Sequence, residues 1–335
     1  MWHIEPAEWA FAHTLGWNAV ARRRAQRPAP VERGCSREDA QIVRVWSDLM
    51  LNPISIMADR LADHIVELYL QYFSHRNPEY ATYMGGAARL VLERIGNSNA
   101  LYHNIEHTMM VTLAGQQIIR GRLLSESLTP DDWLHFTCAL LVHDIGMVRG
   151  VCDGDRDDSI VIDDSGARFA PPRGASDAVL APYHVDRGKI YARQRFAQSQ
   201  FVDAERIAQA IEMTRFPVPK DPAYQETGTE AALVRAADLI GQLADPFYHR
   251  KLNALHAEFT ELGMTEKLGC RNPADLAVMY TEFYKLQVEP YIQDAIRFLE
   301  LTTEGKQWVA NLDSNLFQAG HRPCRIGPFP GGKAA

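Results

Sequence analysis

The chain has few long apolar runs, no paired cysteines and no excess of positive charge, and each shortage excludes a class of protein. No run reaches the roughly 18 apolar residues that a membrane-spanning helix needs. Its five cysteines are widely spread with no Cys-x-x-Cys pair, which disfavours a disulfide framework or a thiolate zinc site. The formal net charge of −7 provides no positive field for nucleic acid. We therefore expect neither a membrane nor a nucleic acid as partner.

What is present is an ordinary globular composition. The 335 residues are 46% apolar and 23% charged, which is enough for one large domain or two small ones. The start, Met-Trp-His-Ile-Glu-Pro, has no signal-peptide core, and we expect a cytoplasmic protein. We interpret residues 1–40, which include a basic run at 21–28, as an N-terminal extension or linker. Residues 41–320 are predicted to form a helical domain, and residues 321–335 an irregular tail.

Helical periodicity dominates the predicted domain. From Asn52-Pro53 onward, apolar residues such as Met57, Leu61 and Ile65 recur at three- and four-residue steps, which is typical of a helix packed on a core. The only strand candidate is 159–163, so the predicted fold class is all-α, a multi-helix domain. Further helices are predicted near 87–95, 104–124, 130–146, 176–198, 203–215, 229–243, 246–262 and 274–302.

Two histidines, His103 and His107, lie four residues apart at the start of one predicted helix. That spacing is one helical turn, so both rings should face the same space. A second unusual pair, His143-Asp144, ends a helix that Thr129-Pro-Asp-Asp should begin and that is apolar on nearly every face. A carboxylate and an imidazole at a buried helix end are unfavourable unless something binds both.

A second buried acid is predicted at Asp238, inside an apolar helical run. Each residue alone has a structural interpretation, since Asp238 could pair with Arg235 and a core histidine could bond a carbonyl. Together, His107, His143, Asp144 and Asp238 form a set of two nitrogen and two oxygen ligands, which suits divalent zinc, iron or manganese.

These residues carry a family resemblance. The order His, His-Asp, Asp resembles the HD-domain metal-dependent phosphohydrolase superfamily, which is all-helical. Its surroundings, Tyr102-His-Asn-Ile-Glu-His107, Leu141-Val-His-Asp-Ile-Gly146 and Ala237-Asp-Leu239, resemble the class I cyclic nucleotide phosphodiesterases. Weaker similarities lie at Ile211–Arg215 and Ala257–Gly263.

The resemblance implies hydrolysis of a 3′,5′-cyclic nucleotide, a small phosphate ester, to the 5′-monophosphate. It implies that His107, His143, Asp144 and Asp238 ligate one divalent ion and that Asp144 bridges to a second. The identity of the two ions, Zn, Mn, Mg or Fe, stays open. It also implies that a hydroxide bound to the metals attacks phosphorus, while His103 acts as the general acid.

Secondary positions follow the same resemblance. His184 is a candidate second-metal or phosphate contact, and Glu212 a candidate partner that orients His103 or a water. The family's purine-binding glutamine, ten residues before Pro290, is Tyr280 here, whereas Phe283 falls on the stacking phenylalanine and Gln287 lies further on. Substrate contacts are therefore predicted at Tyr280, Phe283 and Gln287, with either altered base recognition or a different substrate.

Other departures leave alternatives open. Met147 stands where the phosphodiesterases have a histidine near the metals. A different nucleotide or phosphomonoester hydrolase, a di-iron HD oxygenase and a non-catalytic regulatory module therefore remain rival hypotheses, and a homodimer is left open.

Two further segments receive structural interpretations. Residues 152–164 imitate a calcium loop but have Asp158 where the sharp turn needs glycine. We interpret them as a mobile acidic loop and a candidate lid. Arg187, Arg193 and Arg195 fit a solvated helix face better than a phosphate site.

Overall fold

The fold is all-α, as predicted. The computed structural model describes residues 52–74 and 76–321. Its α-helices are α1 (Pro53–Phe73), α2 (Pro78–Ile95), α3 (Ile105–Ser125), α4 (Pro130–Val142), α5 (His184–Phe196), α6 (Ala204–Met213), α7 (Glu230–Leu243), α8 (Tyr248–Glu261), α9 (Met264–Leu268), α10 (Pro273–Phe283), α11 (Glu289–Leu299) and α12 (Thr303–His321). No helix in these ranges combines the length and apolarity that crossing a bilayer requires. The predicted extension, residues 1–40, and residues 322–335 of the predicted tail lie outside the described ranges.

Helix α3 is the centre of the core. It packs along α7 and α11 and crosses α4, so it is buried on most of its circumference. At Gly121 a Cβ would lie 1.9 Å from the carbonyl oxygen of Phe298, so only glycine permits this approach of α3 to α11. Gln116 Nε2 donates to Thr137 Oγ1 at 2.9 Å and ties α3 to α4. This central pair presents the histidines.

Helix α4 starts as predicted. The Thr129 hydroxyl accepts from the backbone N–H of Asp132, whose carboxylate accepts in turn from the backbone N–H of Thr129, which is a capping box. The helix ends at Val142, and a 3₁₀ turn, Ile145–Met147, follows His143-Asp144. The cap therefore fixes where the buried helix delivers this pair.

Several predicted bounds need correction. Helix α2 begins at Pro78 rather than near 87, and α12 has no predicted counterpart. The predicted helix 274–302 is divided by a π-helical segment, Tyr284–Val288, which ends two residues before Pro290. A proline in a helix cannot donate to the preceding turn, and the backbone widens there.

The acidic segment is a tied hairpin rather than a free loop. Strand β1 (Ile160–Val161) pairs antiparallel with β2 (Arg168–Phe169). Arg187 is fully buried and donates to Asp155, to the Val161 carbonyl and to the carbonyls of Gly146 and Val148. The carboxylate of Asp155 is thus occupied by a guanidinium, which argues against both calcium binding and the lid. The prediction of a solvated Arg187 is wrong.

Candidate metal centre

Four side chains from three helical elements converge on one small volume. His107 lies in the first turn of α3, His143 and Asp144 follow α4, and Asp238 lies in α7. His107 Nε2 is 3.1 Å from Asp144 Oδ2 and 3.3 Å from Asp238 Oδ1. His143 Nε2 is 3.1 Å from Asp144 Oδ2 and 3.8 Å from Asp238 Oδ1. The structure therefore brings the four predicted ligands together.

Hydrogen bonds within the described part of the protein do not satisfy every polar atom of this cluster. His143 Nδ1 lies 2.8 Å from the Leu140 carbonyl oxygen and donates to it, so a neutral His143 presents a lone pair at Nε2. That atom lies 3.4 Å from His107 Nε2. Among the described residues, the buried Asp144 Oδ2 accepts no hydrogen bond of acceptable geometry. Acceptor atoms crowded together in this way need a shared cation, either a proton or a metal ion.

The spacing fits one divalent ion. His107, His143 and Asp144 each offer a ligand atom within 4.8 Å of the others, and all three residues are buried. Ligands about 2.1 Å from a metal lie ~3.0 Å apart at a right angle and ~3.4 Å apart at the tetrahedral angle. The separations of 3.1 to 3.8 Å fall in or just above that range, so this donor set fits the predicted ion.

The electrostatic field of the cluster favours positive charge. Burial lowers the pKa of His143, but Asp144 and Asp238 outweigh burial and raise it to about 9. Burial raises the pKa of Asp144, yet the neighbouring histidines hold it well below its usual range. The buried carboxylate of Asp144 and the partly exposed one of Asp238 thus attract either protons or a metal ion to this place.

His103 is held separately, outside the helix. Asn104 caps α3, with its side chain accepting from the N–H groups of Glu106 and His107, so His103 precedes the first helical residue. The prediction of one shared helical face is wrong, although the rings of His103 and His107 lie 5.4 Å apart.

The partner of His103 is Glu258, a residue that no sequence pattern predicted. Glu258 lies on α8, is 3% exposed and places Oε2 2.6 Å from His103 Nδ1. Its other oxygen accepts from the backbone N–H of Tyr102 at 2.7 Å. Burial lowers the pKa of His103, but this carboxylate outweighs burial and raises it. The weak similarity at Ala257–Gly263 was the available signal.

Glu212 does not take the predicted part. Its carboxylate contacts Lys189, Arg215 and the Tyr224 hydroxyl at 2.5 to 2.8 Å. Burial raises its pKa, but these three donors outweigh burial and lower it to about 2. Glu212 therefore belongs to an ion cluster, and Glu258 is the acid that orients His103.

His184 reaches the edge of the centre. Its Nε2 lies 3.7 Å from Asp144 Oδ1, and its Nδ1 lies 2.5 Å from the Ala181 carbonyl oxygen, which leaves Nε2 facing the site. Burial lowers the pKa of His184. A Cβ at Gly146 would lie 2.0 Å from the His184 carbonyl oxygen, so glycine lets α5 begin directly against the His-Asp turn.

The segment that leads to His184 is anchored to α8. It is a 3₁₀ helix, Asp177–Tyr183, capped by Ser176. The Ser176 N–H donates to Glu261 Oε1 at 2.6 Å. Helix α8 thus positions both His103 and the approach to His184.

Asp238 and Arg235 are not a pair. Arg235 is buried, donates to the carbonyls of Tyr224 and Glu226 and lies over the ring of Tyr291. This removes the structural interpretation of Asp238 and leaves its carboxylate to the histidines.

The three predicted substrate contacts differ in their exposure to solvent. Tyr280 is 1% exposed, and its hydroxyl donates to the Leu243 carbonyl at 3.1 Å, so its assignment as a base-reading residue is wrong. Phe283 is partly buried, 5.8 Å from the ring of Phe216, whose side chain is 44% exposed. Gln287 is partly exposed in the π-helical segment. Met147 is buried beside the His-Asp turn and offers only a thioether.

Comparison with known proteins identifies a family for this chain. A family model described as Npun_R2479-like matches residues 51–322, which includes every residue of the centre. No curated protein and no solved structure matches the chain.

Proposed function

The chain belongs to the Npun_R2479-like family, and from the centre it carries we propose a divalent-metal-dependent phosphodiesterase of the HD type. The proposed reaction is hydrolysis of a 3′,5′-cyclic nucleotide to the 5′-monophosphate. The observation that carries the proposal is the convergence of four ligand atoms, three of them on buried residues, beside a histidine that a separate buried acid holds.

The chain's residues divide into a metal set and a proton set. His107, His143, Asp144 and Asp238 would hold one ion, and Asp144 with His184 offers contacts for a second. Divalent ions held there would activate water and neutralise charge on the phosphoryl oxygens. Because the protein carries a net charge of −7, local positive charge of this kind is what an anionic ester requires.

His103 supplies the proton. Glu258 accepts from Nδ1–H, so the exchangeable proton of the imidazolium sits on Nε2. Glu258 raises the pKa of His103 against the lowering effect of burial, which favours the protonated form that can act as an acid. In the proposed step Nε2 donates it to the departing ribose oxygen as the P–O bond breaks.

Base recognition does not involve Tyr280. The exposed Phe216 and the partly buried Phe283 offer an aromatic surface, and Gln287 offers an amide. We propose stacking at Phe283 with amide recognition at Gln287 for the nucleotide base.

His184 favours a second candidate. An additional histidine 3.7 Å from Asp144 makes the donor set richer in nitrogen, which suits iron. A di-iron oxygenase is therefore the alternative, and its mark would be oxygen uptake that depends on iron.

Product analysis tests the proposal. The protein is loaded with manganese, magnesium, zinc or iron and incubated with cyclic AMP, cyclic GMP or 5′-nucleotides. We expect a 5′-monophosphate from a cyclic substrate, lost in Asp144→Ala and retained in Asp157→Ala, an exposed acid outside the centre.

The other outcomes are equally informative. Release of phosphate from 5′-nucleotides alone would replace the diesterase by a phosphomonoesterase. Metal-loaded protein that hydrolyses neither but consumes oxygen with iron would contradict hydrolysis and support the oxygenase. Metal-loaded protein that does neither would point to a regulatory module.

A further inference from the structure

A separate cavity lies between α2, α4 and α5. Its volume is about 310 Å³, at the lower end of the range for small-molecule pockets. Its walls are mainly apolar, including Leu90, Val91, Leu141, Val142 and Phe196. None of the candidate metal ligands lines it, so it is a different site from the metal centre.

The polar groups of the cavity are few, and only one of them, Arg195, carries a charge. Arg195 lines it together with Tyr83, Tyr191 and Cys138. Burial raises the pKa of Cys138 to about 12, so this thiol stays neutral. Burial also raises the pKa of Tyr191, while the guanidiniums of Arg195 and Arg94 oppose that rise. Both cations therefore lie near Tyr191.

Arg195 differs from its neighbour on α5. Arg193 pairs with Glu205 and Asp164 at 2.7 Å. Arg195 is exposed, and among the described residues it forms no ion pair with an acid. The guanidinium of Arg195 hydrogen-bonds the Tyr191 side chain but is not neutralised by an acid among the described residues. Beside an apolar cavity, such a cation is complementary to a ligand with one negative charge and an apolar body.

We propose that this cavity binds a small amphipathic monocarboxylate, such as a medium-chain fatty acid. The carboxylate pairs with Arg195, and the alkyl chain lies against Leu90, Val91 and Leu141. The tyrosine hydroxyls add neutral donors, of which Tyr83 already contacts Ser199 Oγ at 3.3 Å.

The cavity lies between two helices that also lead to the candidate metal centre. Leu141 and Val142 directly precede His143, and Tyr191 and Arg195 lie on the helix that begins at His184. An occupant therefore touches two helices that end at the proposed centre.

Calorimetric titration with decanoate, below the concentration at which it forms micelles, tests the proposal. We expect saturable binding of one decanoate per chain, weaker binding of uncharged decan-1-ol, and at least a roughly tenfold loss of affinity in Arg195→Gln. Arg193→Gln is the matched control and should bind as the unaltered protein does.

A second variant blocks the cavity instead of removing charge. Gly86 lines the cavity and lies on an exposed part of α2, and a Cβ there meets nothing within 4 Å. Gly86→Leu should therefore fold, with improved helix propensity, and lose decanoate binding. Absence of saturable binding, equal affinity for decan-1-ol, or unchanged affinity in Gly86→Leu would each overturn the proposal. None of these measurements depends on catalytic activity.

Discussion

His103 and His107 differ in what fixes each ring. His107 is the third residue of α3, and its backbone N–H donates to the Asn104 cap, so helix geometry and two carboxylates set its position. His103 precedes the cap and depends on a carboxylate from α8. One ring is therefore suited to hold a metal rigidly, and the other to exchange a proton.

This division of roles predicts that one substitution removes activity without removing the metal, whereas another removes the metal. His103→Ala should retain the metal content of the unaltered protein and reduce kcat by about 10²- to 10⁴-fold. Asp238→Ala should lose metal, because it removes a ligand. Metal analysis and steady-state kinetics on the same samples check both, and full activity in His103→Ala would contradict the proton assignment.

The substitution Glu258→Gln tests whether the negative charge of Glu258 controls the pKa of His103. The amide preserves the shape but removes the negative charge that raises the pKa of His103. The pKa of His103 should therefore fall, and kcat should begin to decline at a lower pH on the basic side of its profile. An unchanged profile would mean that Glu258 has only a structural role.

Among single residues, the sequence indicated the candidate metal ligands but not the residues that position the site. His107, His143, Asp144 and Asp238 can be identified because polar groups in apolar helices need an explanation. Glu258 and Arg187 act across long sequence separations, and each lies on a helix with many charged residues, so no local pattern distinguishes either from a solvated side chain. Tyr280 was misassigned because counting along the chain cannot foresee burial.

Among the elements, the start of α5 depends on one glycine. Gly146→Ala would place a methyl group 2.0 Å from the His184 carbonyl oxygen and 2.7 Å from Gly188 N. We expect a loss of about 1 to 3 kcal/mol in the free energy of unfolding. Gly86→Ala, with open space around it, should be neutral or more stable by up to ~1 kcal/mol. Urea unfolding of both variants measures the difference, and equal stabilities would argue against this close contact.

The hairpin of β1 and β2 depends on Arg187. Arg187→Met would leave the carboxylate of Asp155 buried and unpaired, at a cost of about 3 to 5 kcal/mol. Arg193→Met removes only exposed ion pairs, worth about 1 kcal/mol or less. Chemical denaturation should therefore separate the two variants clearly, and similar midpoints would contradict the buried pair.

Periodicity predicted most helices because each buries one apolar face. It failed where backbone chemistry intervened: before Pro290, where the helix widens, and at residues 177–183, where a 3₁₀ segment that contains Pro182 precedes α5. The order of the helices could therefore be predicted from the sequence. The positions at which a helix is interrupted could not, and only the folded structure shows them.

For the whole molecule, a bound metal should act as a stabilising ligand. Binding to the native state alone contributes about 2.7 kcal/mol when the free metal is 100 times Kd. For a domain of this size, that is a rise in Tm on the order of 5 °C or more. Thermal unfolding with manganese and with a chelator should show the difference, and Asp144→Ala should abolish it. An equal shift in that variant would place the metal elsewhere.

Helix α8 holds two distant loops by acids one turn apart. Glu258 accepts from the Tyr102 N–H, and Glu261 accepts from the Ser176 N–H. Hydrogen exchange reports the opening of such bonds, and groups released by one event exchange together. We expect these two amides to exchange at matching rates that both increase when α8 is weakened. The proton donor and the approach to His184 would then be released in a single step, so the site opens as one unit.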